Sequence, residues 1–82
     1  MRNLVLRGTV IPLMEDFTVG RFTLLNLPDG VRIMKGGMII ATVWKKEASF
    51  KGIQLSSEVK DPEELRELYL LVEDVWNEIN KE

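Results

Sequence analysis

Asp61-Pro62-Glu63-Glu64-Leu65-Arg66-Glu67-Leu68-Tyr69-Leu70-Leu71-Val72-Glu73-Asp74-Val75-Trp76-Asn77-Glu78-Ile79 is the stretch on which the fold turns. Asp61 is a good N-cap, Pro62 suits the first helical position, and Glu64 stands three residues after the cap, as in a capping box. Glu63, Glu64 and Glu67 sit near the positive end of the helix dipole. At 100° per residue, Leu65, Leu68, Tyr69, Leu71, Val72, Val75, Trp76 and Ile79 gather on one side, and Arg66, Glu67, Glu73, Asp74 and Asn77 on the other. The pattern predicts one helix of about 20 residues and roughly 30 Å. Its apolar arc spans about 160°, wider than the roughly 100° stripe of an ordinary surface helix, and Leu70 falls outside even that arc.

Charge changes sign at the same place. Residues 1–60 hold nine Lys/Arg against five Asp/Glu, and residues 61–82 hold two against eight, so +4 and −6 make the net −2. Outward from the helix, towards the N-terminus, the chain is punctuated by turns. Leu27-Pro28-Asp29-Gly30 has Pro at the second turn position and Gly at the end, where a positive φ is cheap. Gly36-Gly37 between apolar runs predicts a two-residue hairpin. The strands expected are Phe17–Leu27, Val31–Lys35, the β-branched run Met38–Trp44 and Phe50–Leu55, with Lys45–Ser49 as a connection. Upstream, Asn3–Met14 reads as a bent or edge strand, because Gly8 and Pro12 interrupt it. The expectation is α+β: an antiparallel meander of four to five strands packed by one long C-terminal helix, in a single domain over residues 1–82.

Composition excludes much chemistry. There is no His and no Cys, which argues against soft-ligand metal sites, disulfides and nucleophiles activated by histidine. Glu15-Asp16 reads as a turn and Glu73-Asp74 as a solvated helix face; Gly36-Gly37 lacks the Lys-Ser/Thr and following helix of a phosphate loop. The chain is expected to be no enzyme and to need no cofactor. No run of about 18 apolar residues is present, so no membrane contact is expected. The N-terminal apolar run is broken by Arg7, too short for a signal peptide, which places the protein in the cytoplasm as an expectation.

Two features point to function. Arg21, Arg32, Lys35, Lys45, Lys46 and Lys51 form a basic series over three strands, with Trp44 beside Lys45-Lys46 and Phe50 beside Lys51. Cations along a track with aromatics between them suit phosphates and stacked bases. Trp44 alternates with Thr42 and Ile40, a spacing that aims it out of the sheet. The alternative is that Trp44 and Phe50 are core residues and the lysines protect a sheet edge. The second feature is the wide helix stripe, read either as intramolecular core or as a homodimer interface through Leu68, Leu70, Val72, Val75, Trp76 and Ile79.

Lys51-Gly52-Ile53-Gln54-Leu55-Ser56, followed by the helix start Asp61-Pro62-Glu63-Glu64-Leu65, resembles the positive-cofactor-four family of transcriptional coactivators. Phe17-x-Val19-Gly20-Arg21 is similar to that family's opening strand, and Met38–Trp44 to its central apolar strand. The resemblance covers roughly residues 17–82; it implies a curved antiparallel sheet backed by a helix, dimerisation through the helices and single-stranded DNA on the concave sheet, with Lys51 at the basic position before the glycine. Ser57-Glu58-Val59-Lys60 is inserted relative to the family pattern, and Gly36-Gly37 stands where an aromatic is expected. The function expected is non-catalytic binding of single-stranded nucleic acid through Arg21, Arg32, Lys45, Lys46 and Lys51, with Trp44 or Phe50 stacking. The alternative is a small homo-oligomeric interaction or structural module without nucleic-acid affinity.

Overall fold

Two-residue turns with left-handed residues set the topology. A computed structural model describes residues 3–50 and 61–81. Its strands are β1 (Leu4–Leu6), β2 (Thr9–Ile11), β3 (Asp16–Val19), β4 (Phe22–Leu27), β5 (Gly30–Lys35), β6 (Met38–Trp44) and β7 (Glu47–Phe50), and its helix α1 is Pro62–Ile79. β3 to β7 form a five-stranded antiparallel meander in chain order, and β1 pairs with β2 in a separate two-stranded sheet. The domain is therefore α+β, with an antiparallel meander and one C-terminal helix.

Gly36 and Gly37 have φ of 60° and 81° and close the β5–β6 hairpin with Lys35 opposite Met38. Positive φ at both positions matches the right-handed twist of the flanking strands. Gly20, at φ 60°, likewise splits the expected Phe17–Leu27 strand into β3 and β4. Arg7 and Gly8, at 51° and 82°, fold the expected Asn3–Met14 strand into the β1–β2 hairpin. The connection expected at Lys45–Ser49 shrinks to Lys45-Lys46, and Glu47–Phe50 is an exposed edge strand. The rest of the expected Phe50–Leu55 strand lies outside the described residues.

Alternation along the strands decides what is buried. Phe22 and Leu24 of β4, Val31 and Ile33 of β5, and Ala41 and Val43 of β6 face α1, whose Leu68, Leu71, Val72 and Val75 complete the core. A β-bulge breaks the alternation of β6: Ile33 pairs with Ala41 and Met34 with Ile39, so Ile40 is the extra residue and is buried. Ile40 therefore does not share a face with Thr42 and Trp44, contrary to simple alternation. Leu4, Leu6 and Ile11 of the hairpin are each 2% exposed and join the same core. An isolated two-stranded hairpin is marginal, but each fully buried Leu or Ile stabilises by about 1.5–3 kcal/mol, which holds it against α1. Asn26, 0% exposed, reinforces the join by donating Nδ2 to the Ile11 carbonyl at 3.0 Å.

The hairpin also explains the breadth of the helix stripe: α1 contacts both β1 and β6. Leu68, Val72 and Val75 are buried in the chain's own core, which corrects their expected place in a dimer interface. Trp76 and Ile79 are partly buried against that core, whereas Leu70 remains 50% exposed. The Asp61 side chain caps α1, accepting from the Glu63 N–H at 3.0 Å. Glu64 is not used as the partner of a capping box; its carboxylate points into the sheet.

Candidate functional site

The register of the meander builds two rows of side chains on the sheet face away from α1. Leu25, Arg32, Thr42 and Ser49 stand opposite one another across β4, β5, β6 and β7. Leu27, Gly30, Trp44 and Glu47 form the next row. Between these rows lies a groove of about 350 Å³ whose lining includes Asp29, Arg32, Ile39, Thr42, Trp44 and Ser49. Arg32 is half-buried here; its Nε is fully buried and has no hydrogen-bond partner among the described residues.

Gly30 is what lets Trp44 lie in the groove. A Cβ at Gly30 would come within 2.9 Å of Trp44 Cδ1 and 2.7 Å of the Val43 carbonyl oxygen. The indole thus occupies the space where any other residue of β5 would have a side chain. The turn chemistry expected of Gly30 is not its reason for being there, since its φ is not positive. At the same end, Lys45 and Lys46 follow Trp44 directly. The Lys46 N–H donates to Asn80 Oδ1 at 2.8 Å, and Asn80, the C-cap of α1, donates its backbone N–H to the Trp76 carbonyl at 2.9 Å. The end of the helix thereby holds the turn beside the tryptophan.

Two members of the basic series are on the helix side. Glu64, 5% exposed, accepts from Arg21 Nη1 with one oxygen and from Lys35 Nζ with the other. A buried carboxylate without such partners is costly. Hydrogen bonds from Lys35 and then Arg21 hold its pKa below the usual carboxylate value, against the opposing effect of desolvation. Arg21, correspondingly, is raised by its hydrogen bond and attraction to Glu64.

The fold therefore brings Arg32 and Trp44 together, with Lys45 and Lys46 at the end of their groove. It does not bring Arg21 or Phe50 to them. Phe50 faces α1, where its ring lies 5.4 Å from that of Tyr69 at an interplanar angle of 59°. Lys51 lies outside the described residues. Sequence reasoning missed Gly30, Thr42 and Ser49 as parts of this site. Thr42 and Ser49 enter through strand register alone, while the close approach at Gly30 depends on how Trp44 lies. Among the described residues, no group of three or more Asp or Glu is arranged to hold a metal ion, and no helix is long and apolar enough to cross a membrane. No protein-family model, curated protein or solved structure matches the chain.

Proposed function

We propose that this is a non-catalytic, cytoplasmic binder of single-stranded nucleic acid that takes its ligand on the sheet face away from α1. The observation that carries the reading is the pairing in one groove of Trp44, laid over Gly30, with Arg32, whose buried Nε lacks a partner among the described residues. A tryptophan face stacks on any base, and a guanidinium matches a phosphate, so together they read a strand without regard to sequence. The acidic helix is on the opposite side of the sheet, which leaves its repulsion of phosphates at a distance. Lys45 and Lys46 add charge where a strand leaving Trp44 would pass. The resemblance to positive-cofactor-four coactivators leads to the same ligand class.

Binding of a strand of about ten to twenty nucleotides, with a site of the size typical for such grooves, tests this. In a Trp76→Phe background the strand should quench Trp44 emission. Affinity should fall with salt, and Lys45→Ala with Lys46→Ala should lower the salt slope by up to roughly two units. Trp44→Ala should weaken binding by about 1–3 kcal/mol without changing that slope. Absence of binding below about 100 µM at low salt, far weaker than typical non-specific affinities there, would sink the proposal.

One observation favours a second reading, a small homo-oligomeric interaction or structural module without nucleic-acid affinity. Tyr69 and Leu70 are 51% and 50% exposed on α1, and Leu70 belongs to the expected interface. Oligonucleotide binding separates the two, because only the first reading requires it, and light scattering on dilution tests the homodimer that both readings accommodate.

A further inference from the structure

We infer that Arg32, Thr42 and Ser49 form a single oxyanion subsite that takes one internal phosphodiester of the bound strand. The inference rests on the proposed nucleic-acid reading and adds to it the group that anchors the ligand. Arg32 pairs with Thr42 and Thr42 with Ser49, so the three side chains leave the same face of adjacent strands. Strands lie about 4.8 Å apart and directly opposed Cβ atoms about 5 Å, so one guanidinium and two hydroxyls line up within the reach of one tetrahedral anion. All three line the groove. The buried Arg32 Nε–H, without an acceptor among the described residues, costs free energy, and an oxyanion in the groove would relieve that cost once the guanidinium turns to present Nε to it. Ile39 and Trp44 wall the site with apolar surface, which strengthens such a charge-assisted bond.

The local charge selects the kind of phosphate. Arg32 is the cation among the residues lining the groove, and Asp29 lines it too. One positive group beside one carboxylate suits a singly charged phosphodiester better than the more highly charged phosphomonoester or diphosphate. Trp44 is two residues from Thr42 along β6, about 7 Å at the strand rise, which places the base of the same nucleotide on the indole.

The test follows the Arg32 Nε–H resonance of the ¹⁵N-labelled protein in three titrations at matched ionic strength. The added species are a thymidine oligonucleotide, inorganic phosphate and chloride. The expected result is a saturable shift with the oligonucleotide, a weaker one with phosphate, and none with chloride. Thr42→Val and Ser49→Ala should each weaken the oligonucleotide about tenfold, the loss of one hydrogen bond to an anion. Quenching of Trp44 at saturation should survive in both variants. If the oligonucleotide binds and quenches Trp44 while the Arg32 resonance stays still and both variants bind normally, the subsite is wrong and the nucleic-acid reading stands. If only inorganic phosphate moves the resonance, the groove holds an oxyanion but no strand, and the phosphodiester assignment and the nucleic-acid reading both fall. If neither anion moves it, both fall.

Discussion

Gly30→Ala is the most direct perturbation of the site, because it fills the space on which Trp44 depends. The added methyl would lie 2.7 Å from the Val43 carbonyl oxygen and 2.9 Å from Trp44 Cδ1. Ordinary contact begins at 3.4 Å, so the two must retreat by about 0.7 and 0.5 Å. The indole can swing aside, whereas the Val43 carbonyl belongs to the β5–β6 ladder and cannot move without stretching it. Overpacking of this kind costs about 1–3 kcal/mol. Replacing a glycine also restricts the unfolded chain, which offsets about 0.4–1 kcal/mol. The net loss should lie between about 0 and 2.6 kcal/mol, and with a urea m-value near 1 kcal/mol/M for so small a domain the midpoint should fall by up to about 2.6 M. Urea unfolding followed by circular dichroism measures that shift. In a Trp76→Phe background, Trp44 emission should move to longer wavelength as the indole leaves the groove, and oligonucleotide binding should weaken with it. A Gly30→Ala protein of unchanged stability and unchanged Trp44 emission would refute the claim that Gly30 seats the indole.

Two further outcomes are expected. The Glu64 carboxyl titrates below its usual value when folded, so the stability it contributes is present above the unfolded-state pKa, about 4.3, and is lost as pH falls through the lower folded value. The stability difference between the wild type and Glu64→Gln, read from urea midpoints across a pH series, should therefore shrink on acidification; a constant difference would show that the Lys35–Glu64–Arg21 cluster does not act through charge. Leu68→Ala, in the core, should cost about 2–5 kcal/mol. Leu70→Ala should stay within about 0.5 kcal/mol, as at exposed sites, when thermal unfolding is compared at equal concentration, and a Leu70 cost as large as that of Leu68 would mean that a second copy buries it.

The helix was legible from residues 61–79 because its signals are local. The Asp61 cap, Pro62 and the 3.6-residue apolar spacing act within a few turns of chain, and the observed helix, Pro62–Ile79, follows them. The Gly36-Gly37 hairpin was legible for the same reason, since two adjacent glycines take positive φ without help from the rest of the fold. Single glycines carried a weaker signal. Gly8 and Gly20 each reverse the chain with an arginine beside them, and Arg7 must itself adopt a φ of 51°, which its residue type does not announce.

Read along the chain alone, the residues already give the α+β class, the start of the helix and the segregation of acidic charge onto it, and they single out Arg32 and Trp44 as candidates. Packing in three dimensions sets which cations remain on the outer face, because Glu64 reaches across from α1 to hold Arg21 and Lys35. It alone decided that the wide apolar stripe is partly covered by the β1–β2 hairpin, and that Thr42 and Ser49 stand beside Arg32. The physical reason is one of range. Caps, turns and periodicity are set by neighbours along the chain, whereas ion pairs, burial and cross-strand rows depend on register between segments tens of residues apart, which a one-residue bulge at Ile40 is enough to change.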